Sequence, residues 1–258
     1  MRDFGKGFWV TAAASIMLLV AASGAMGCPK LQLDIGGGHY VKDTTAANPD
    51  GESIVAGASK FNLYAYMYGL NINSNYYISA AILPNPGMAS DDLGFFTING
   101  KTINVTKDMF YGVPPLESNL AFDSHDLGPH GVFPTWFSET PFKFDTTDLS
   151  KLYNTQDATG SGPQIYNPKD SKMYYVPFDV DLTGLNPDLV VHFDLYDEII
   201  VKCRGVVTDI DRDNFAPFSH DANGSSPPRT LVPEPASMML LTTGLVGLAV
   251  MRRRQRRK

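Results

Sequence analysis

Short segments in which apolar and polar residues alternate recur through most of this chain of 258 residues. The first segment, KLQLDI, begins at Lys30 and stops at three glycines, as a strand does before a turn. Comparable segments follow at 61–68, 76–83, 93–100, 101–106, 141–146, 172–182, 189–200 and 201–210. Because side chains alternate between the two faces of a strand, the pattern predicts an all-β, mainly antiparallel fold. We expect a single sandwich or jelly-roll-like domain over residues 28–218.

Two stretches predict local geometry in more detail. Asn99-Gly100 separates two alternating segments, and this dipeptide favours a tight primed hairpin turn. In VVHFDLYDE the apolar residues are predicted to face the core, namely Val191, Phe193 and Leu195. The alternate residues are predicted to face outward, namely His192, Asp194 and Tyr196.

The first 27 residues have the layout of a secretory signal peptide. A weakly basic leader with Arg2 and Lys6 precedes an apolar stretch from about Trp9 to Ala22, and small residues lead to a cleavage point after Gly27. The alternative is an uncleaved anchor. The apolar stretch is shorter than the roughly 20 residues that a bilayer span needs, which favours the signal peptide.

The C-terminal residues combine an apolar run with a cationic end. Residues 236–251 are apolar or small, and as a helix they would measure about 24 Å, slightly less than the hydrocarbon core of a bilayer. The run is followed by the basic residues Arg252, Arg253, Arg254, Arg256, Arg257 and Lys258. Lys and Arg remain on the cytoplasmic side, so we expect a transmembrane helix at 236–251 with the preceding domain outside the membrane.

Val232-Pro233-Glu234-Pro235 stands directly before that helix, and proline prevents the helix from extending backwards. The order of this tripeptide, a short span and a basic tail 252–258 resembles the PEP-CTERM sorting signal of Gram-negative bacteria, here at 233–258. The resemblance implies processing by the membrane enzyme exosortase. It also implies transient anchoring in the inner membrane and then a place at the cell surface or in an exopolysaccharide matrix. The alternative is a plain tail anchor that is never processed.

Charge disfavours nucleic acid as a partner. Subtracting +6 for the tail and +1 for the leader from the net charge of −6 leaves −13 for the residues between them. An acidic surface repels phosphate backbones, so the cationic tail is interpreted as a topological signal.

Residues 219–232 are polar and rich in Gly, Ser and Pro, which predicts a flexible linker between the domain and the sorting signal.

The body before the linker contains the stretches KLQLDIGGGHY, FNLYAY, YYISAAILP, NGKTINVTKDMFYGVPPLE, DLGPHGVFPTWF, LYNTQD, GLNPDLVVHFDLYDE and DRDNFAPFSHDA. On these stretches the body resembles the choice-of-anchor N proteins of bacteria. The resemblance implies a secreted or surface-attached domain and leaves its chemistry undefined.

The chain contains two cysteines, Cys28 and Cys203. In an exported protein they are candidates for one disulfide. A second hypothesis is that AMGC is a lipobox with Cys28 as its lipidated residue, although Ala25 stands where that motif usually has Leu.

Two groups of residues are candidate metal ligands. Asp209, Asp211 and Asp213 alternate in DIDRDN and suggest a structural calcium site, while Asn214 and His220 rule out an EF-hand. The second group is His125, Asp126 and His130, joined by His220 and Asp221, whose residue types suit zinc but whose spacing matches no helical zinc motif. For this group the alternative is an Ω-like loop fixed by prolines. Apart from a structural calcium ion we expect no cofactor.

The sequence contains no nucleophile elbow, phosphate-binding loop or CxxC pair, so we expect a non-catalytic protein. Pairs such as Glu139 with Asp194, or Asp197 with Glu198, leave glycoside hydrolysis open as the weakest alternative. A carbohydrate-binding or calcium-dependent adhesion module is the stronger alternative to a non-catalytic surface or matrix protein.

Overall fold

The computed structural model describes residues 28–88, 91–116, 131–197, 199–203, 206–211 and 214–226. Most of these residues belong to strands or to the turns between them. The strands are β1 (Leu31–Ile35), β2 (His39–Val41), β3 (Ser53–Val55), β4 (Lys60–Met67), β5 (Tyr76–Leu83), β6 (Phe95–Ile98), β7 (Lys101–Asn104), β8 (Phe110–Gly112), β9 (Thr135–Phe142), β10 (Leu149–Lys151), β11 (Lys172–Asp181), β12 (Val190–Asp197), β13 (Ile199–Cys203), β14 (Val206–Asp211) and β15 (Ala222–Ser225).

The strands form two large sheets. A six-stranded sheet has the order β1-β4-β11-β6-β7, with β10 also paired to β11. A seven-stranded sheet has the order β2-β3-β15-β12-β5-β9-β8. The pairs are antiparallel except for β3 with β15, and β13 with β14 forms a separate hairpin. The mainly antiparallel all-β fold predicted from sequence periodicity is confirmed.

A single large hydrophobic core lies between the two sheets. From the six-stranded sheet it takes the alternate residues of β1 and β4, and from the seven-stranded sheet those of β5 and β12. Aromatic rings join the two layers: Phe61 of β4 meets Phe193 of β12 edge to face at 6.2 Å between ring centroids. Two twisted sheets that interdigitate their inner faces in this way form a β-sandwich.

Residues 152–165 cover the part of the outer face of the six-stranded sheet that β1 forms. Asp34 of β1 is fully buried there and accepts hydrogen bonds from the backbone N–H groups of Gly160 (2.8 Å) and Gly162 (3.1 Å). Gln32 accepts a third bond, from the N–H of Thr155 (2.9 Å). These polar residues therefore attach a long connection to a sheet face that would otherwise be open to solvent.

The predicted hairpin at Asn99-Gly100 is confirmed. Ile98 pairs with Lys101, and the two turn residues have φ angles of 49° and 76°, as a type I′ turn requires. Strand β5 coincides with the predicted segment 76–83.

Two segments differ from the sequence predictions. Strand β9 occupies 135–142, where we predicted a crossing loop and a strand only from 141. The linker predicted from residue 219 is wrong over 219–226: β15 lies between β3 and β12 in the middle of the seven-stranded sheet. The small side chains of ANGS give no strand signal in the sequence. The strand is stabilised by its backbone hydrogen bonds to β3 and β12 and by close packing. Gly224 illustrates the fit, since a Cβ atom there would stand 2.7 Å from the side chain of Leu182.

The predicted signal peptide 1–27, the residues 227–232 and the sorting signal 233–258 lie outside the described residues. Within the part of the chain that the structure describes, no helix is long and apolar enough to cross a membrane.

Candidate functional site

A cluster of ionisable side chains lies buried on the outer face of the seven-stranded sheet. We call it the Asp-His cluster, and its members are Asp50, His192, Asp194 and Asp221. Strand alternation explains its position: Val191, Phe193 and Leu195 enter the core as predicted, so His192 and Asp194 of β12 point to the other face. That face is covered, however, and His192 has no exposed surface.

The imidazole of His192 is surrounded by oxygen atoms. Its Nδ1 lies 3.0 Å from Asp50 Oδ2 and 3.0 Å from Asn223 Oδ1. Its Nε2 lies 3.2 Å from Asp194 Oδ1 and 3.7 Å from Asp221 Oδ2. The side chains of the three aspartates are at most 3% exposed. One imidazole thus lies among three carboxyl groups in an environment closed to bulk water.

The connection between β2 and β3 places Asp50 in the cluster. Asn48 anchors this loop by donating to the carbonyl of Val41 (3.1 Å), and Ser53 donates to the side-chain oxygen of Asn48. The amide nitrogen of Asn223 on β15 is within 2.7 Å of Asp50 Oδ1 and 2.7 Å of Ser53 Oγ. Because that nitrogen faces acceptors, the carbonyl oxygen of Asn223 must face His192.

The electrostatics of the cluster follow from burial and from its mixed charges. For Asp50, burial raises the pKa, but attraction to His192 and hydrogen bonds outweigh it, so the pKa lies below its usual value. For His192, burial lowers the pKa, but Asp194 and Asp50 outweigh it and hold the pKa well above the usual value. For Asp221, burial and the neighbouring Asp194 raise the pKa well above normal.

Asp221 is the member of the cluster in which neither carboxyl oxygen has a hydrogen-bond partner. Both of its carboxyl oxygens are buried and have no hydrogen-bond partner, and the residue is 1% exposed. Burying a carboxyl group in this state costs free energy, because the hydrogen bonds it made with water are not replaced.

Aromatic side chains mark the β8 edge of the seven-stranded sheet. Phe110 and Tyr111 are 53% and 50% exposed, and the Tyr111 ring meets Trp136 of β9 at 5.5 Å between centroids. Asn85 donates to the Tyr111 hydroxyl (3.1 Å), and the Trp136 indole N–H donates to the carbonyl of Gly87 (2.8 Å). We call Phe110, Tyr111 and Trp136 the aromatic edge. These contacts hold the rings of Tyr111 and Trp136, while Phe110 and Tyr111 remain about half exposed to solvent.

An open depression of about 380 Å³ lies on the six-stranded sheet, where Lys60, Thr97, Asp179 and Asp181 line it. Lys60 Nζ is 2.9 Å from Asp181 Oδ2. Hydrogen bonds from Lys60 and Thr183 lower the pKa of Asp181 to about 2.

The predicted ligand groups lie largely outside the described side chains. For Asp209 and Asp211 the structure describes only the backbone, on β14, and Asp213, His125, Asp126 and His130 are outside it. Two members of the second group are described, and they separate. His220 is buried in the 3-10 helix Phe218–His220, with Nε2 2.9 Å from Asn154 Oδ1, while Asp221 joins the Asp-His cluster.

The remaining candidate residues have structural partners. Glu139 accepts a hydrogen bond from the backbone N–H of Leu116 (2.7 Å) and another from the Tyr196 hydroxyl. Asp197 accepts two from Asn214, at 2.5 and 2.9 Å. Glu198 lies outside the described residues, so the pairing of Asp197 with Glu198 is not tested.

Cys28 is a free thiol in this structure. Its Sγ donates to the carbonyl of Tyr153 (3.0 Å) and accepts from the side chain of Gln32 (3.0 Å), and burial raises its pKa. The side chain of Cys203 lies outside the described residues, so a disulfide between the two remains a prediction.

Sequence analysis missed Asp50, His192 and Asn223 as members of one site. Asp50 lies in a Pro-Asp-Gly stretch that is typical of a turn, and Asn223 lies in the predicted linker. The one available signal was His192 with Asp194, two polar residues on the same face of an otherwise apolar strand. Nothing in the sequence indicated that a loop would cover that face.

Comparison with known proteins identifies the C-terminal part of the chain. A PEP-CTERM protein-sorting motif matches residues 231–255. No curated protein and no solved structure matches the chain. The fold and the motif together define an all-β protein with an exosortase sorting signal. The signal implies export and a place at the cell surface or outside the cell.

Proposed function

We propose that the chain is a non-catalytic protein of the bacterial cell surface or extracellular matrix. It is anchored transiently in the inner membrane through residues 236–251, cleaved by exosortase near Val232–Pro235, and then associated with exopolysaccharide. The sorting motif at 231–255 is the observation that carries this proposal. The motif follows directly on a β-sandwich whose last described residue is Ser226.

The state of the described carboxyl groups supports a non-catalytic role. A glycoside hydrolase needs a general acid with a raised pKa beside a cleft that admits the substrate. Asp181 lines the open depression, but its pKa is lowered to about 2. Asp194 is buried beside His192, where a polysaccharide has no access to it through the described part of the surface.

The aromatic edge supports association with a polysaccharide. Aromatic rings present large apolar faces that pack against the C–H faces of sugar rings, while nearby polar groups bind sugar hydroxyls. Tyr111 provides such a ring at an exposed strand edge, and its hydroxyl is already held by Asn85.

The resemblance to choice-of-anchor N proteins agrees with this role and remains a prediction. Calcium-dependent adhesion through Asp209, Asp211 and Asp213 is the alternative function, and calcium titration of the exported protein would test it.

The sorting step is tested by changing Pro233, Glu234 and Pro235 together to alanine in the full chain, expressed in a host that has exosortase. We expect the wild type at the surface or in the medium and the variant at full length in the membrane fraction. A control with alanine at Pro227 and Pro228 alters a nearby proline pair and should be processed normally. Equal release of all three proteins would contradict the proposal.

The polysaccharide step is tested by co-sedimentation of the secreted protein with exopolysaccharide purified from the host. Tyr111→Ala should weaken binding by roughly three- to tenfold, as expected for the loss of one aromatic contact. Tyr68→Ala is the matched control, because Tyr68 is an exposed tyrosine (37%) directly after β4, far along the chain from the aromatic edge. Binding that is absent in the wild type, or lowered equally by both changes, would refute a specific role for the aromatic edge.

A further inference from the structure

We propose that the Asp-His cluster is a structural binding site for a divalent transition-metal ion of the Zn²⁺ or Mn²⁺ type. Asp50, His192 and Asp221 are the ligands, and the site closes the outer face of the seven-stranded sheet. It shares Asp221 with the zinc ligand group predicted from the sequence and no residue with the predicted calcium group.

The ligand atoms are close enough to converge on one ion. One carboxylate oxygen of Asp50, one of Asp221 and one ring nitrogen of His192 all lie within 4.8 Å of one another. Ligands about 2.1 Å from a common ion lie roughly 3.0 to 3.4 Å apart at angles between 90° and tetrahedral. The ion pair between Asp50 and His192 already has a spacing of 3.0 Å. The other spacings in the set are at most 4.8 Å, so a movement of roughly 1 to 2 Å by Asp221 would complete it.

Asp221 gives an independent reason to place a cation here. Both of its oxygens are buried without a hydrogen-bond partner, and Oδ2 points toward the imidazole at 3.7 Å. Among the described residues, His192 is the only basic side chain within ion-pair distance of Asp50 or of Asp221. A bound cation would satisfy the oxygens that the protein leaves without partners.

The groups around the imidazole match the usual surroundings of a metal-bound histidine. Such a histidine binds the ion through one nitrogen and donates the other N–H to a carboxylate or carbonyl oxygen. His192 has a carboxylate at each nitrogen, Asp50 at Nδ1 (3.0 Å) and Asp194 at Nε2 (3.2 Å). If the ion binds Nδ1, Asp194 is the acceptor for the N–H at Nε2. If the ion binds Nε2, Asn223 Oδ1, 3.0 Å from Nδ1, is the acceptor.

The donor set indicates the class of ion. Calcium prefers oxygen ligands throughout, whereas a set of one imidazole and two carboxylates suits zinc or manganese. The ligands come from three separate places in the chain: the β2–β3 loop, β12 and the residue before β15. An ion bound to all three would join the loop to the two neighbouring strands.

The first test uses the full-length protein purified in detergent, stripped with a chelator and dialysed against Zn²⁺ or Mn²⁺. We expect close to one ion per chain by plasma mass spectrometry. At a hundredfold excess over the dissociation constant, the unfolding temperature should rise by roughly 5 °C or more. Wild-type protein that binds neither ion, or that binds without any rise in unfolding temperature, would overturn the proposal.

The second test assigns the binding to these residues. Asp221→Asn should abolish the bound ion and the thermal shift, while Asp197→Asn should keep both. Asp197 is a suitable control because it is a buried aspartate at the end of β12 whose oxygens are bound by Asn214. A folded Asp221→Asn protein that retains one ion would contradict the proposal. If the variant does not fold, the absorption spectrum of wild type loaded with Co²⁺ replaces this comparison. One nitrogen ligand and oxygen ligands predict a spectrum without a thiolate charge-transfer band. A spectrum with that band would contradict the proposal.

Discussion

At the scale of single residues, two buried groups are expected to change stability with pH in opposite directions. Asp34 binds the backbone of residues 160 and 162, and His220 lies in the 3-10 helix before β15 with Nε2 2.9 Å from Asn154 Oδ1. Both are almost inaccessible to solvent. Burial opposes the charged form of each, which is the anion of Asp34 and the cation of His220.

Burial raises the pKa of Asp34 to about 6, although hydrogen bonds from Gly160, Gly162 and Ile35 oppose this shift. The folded-state pKa thus exceeds the value of 3.8 expected after unfolding, so the folded protein binds the proton more tightly. The free energy of unfolding should fall as pH rises from 4 to 7, by up to roughly 3 kcal/mol from this group.

The measurement is urea unfolding of wild type and Asp34→Asn at several pH values. As pH rises from 4 to 7, the unfolding free energy of the wild type should fall relative to that of Asp34→Asn. Asp188→Asn, which changes an exposed aspartate, should run parallel to the wild type. A constant difference between wild type and Asp34→Asn would show that Asp34 does not titrate as described.

For His220 the free energy of unfolding should instead fall as pH falls, because burial lowers its pKa to about 4. The folded protein binds this proton less tightly than the unfolded chain does, whose histidine has a pKa near 6.5. The contribution of His220 is complete above about pH 6.5 and is lost as pH falls toward 4, by up to roughly 3 kcal/mol. Relative to His220→Gln, the wild type should therefore lose stability on acidification. His39→Gln serves as the control, and identical acid limbs for wild type and His220→Gln would contradict the prediction.

At the scale of elements, strand β15 is expected to be essential for folding because it lies inside the seven-stranded sheet. It pairs with β12 on one side and with β3 on the other, and its loss would leave the edges of both strands unpaired within the seven-stranded sheet. It also contributes Asn223, which orients Asp50 and faces His192.

A chain that ends at residue 226 should therefore fold, whereas one that ends at residue 218 should not. We expect the longer form to show a cooperative thermal transition and resistance to protease, and the shorter form to be degraded or insoluble. Circular dichroism and limited proteolysis of the two proteins make the comparison. Cooperative unfolding of the shorter form would mean that β15 is dispensable.

Elements whose signals are local were predictable from sequence. The turn at Asn99-Gly100 was predicted because its residues adopt positive φ angles with little strain. Strand β5 was predicted because its residues are mostly apolar and include tyrosine and isoleucine, which favour strands. Strands β9 and β15 were missed or truncated, because proline in β9 and small polar residues in β15 weaken the local pattern and both strands depend on their neighbours.

The candidate site was even less accessible to prediction. The alternation that turns His192 and Asp194 away from the core was correct, but sequence could not show that residues 42–52 cover them. Contacts between Asp50, His192 and Asp221 join positions up to 171 residues apart in the numbering, and only the sheet order brings them together. Convergence of this kind is a property of topology rather than of any short motif.

At the scale of the whole molecule, a β-sandwich is joined to a C-terminal signal for sorting and export. Intact mass spectrometry of the protein recovered from cells with active exosortase tests this most directly, because it measures both ends of the chain at once. The account predicts a product that lacks residues 1–27 and ends near Pro235. Recovery of the whole chain, with its arginine tail still attached, would contradict it.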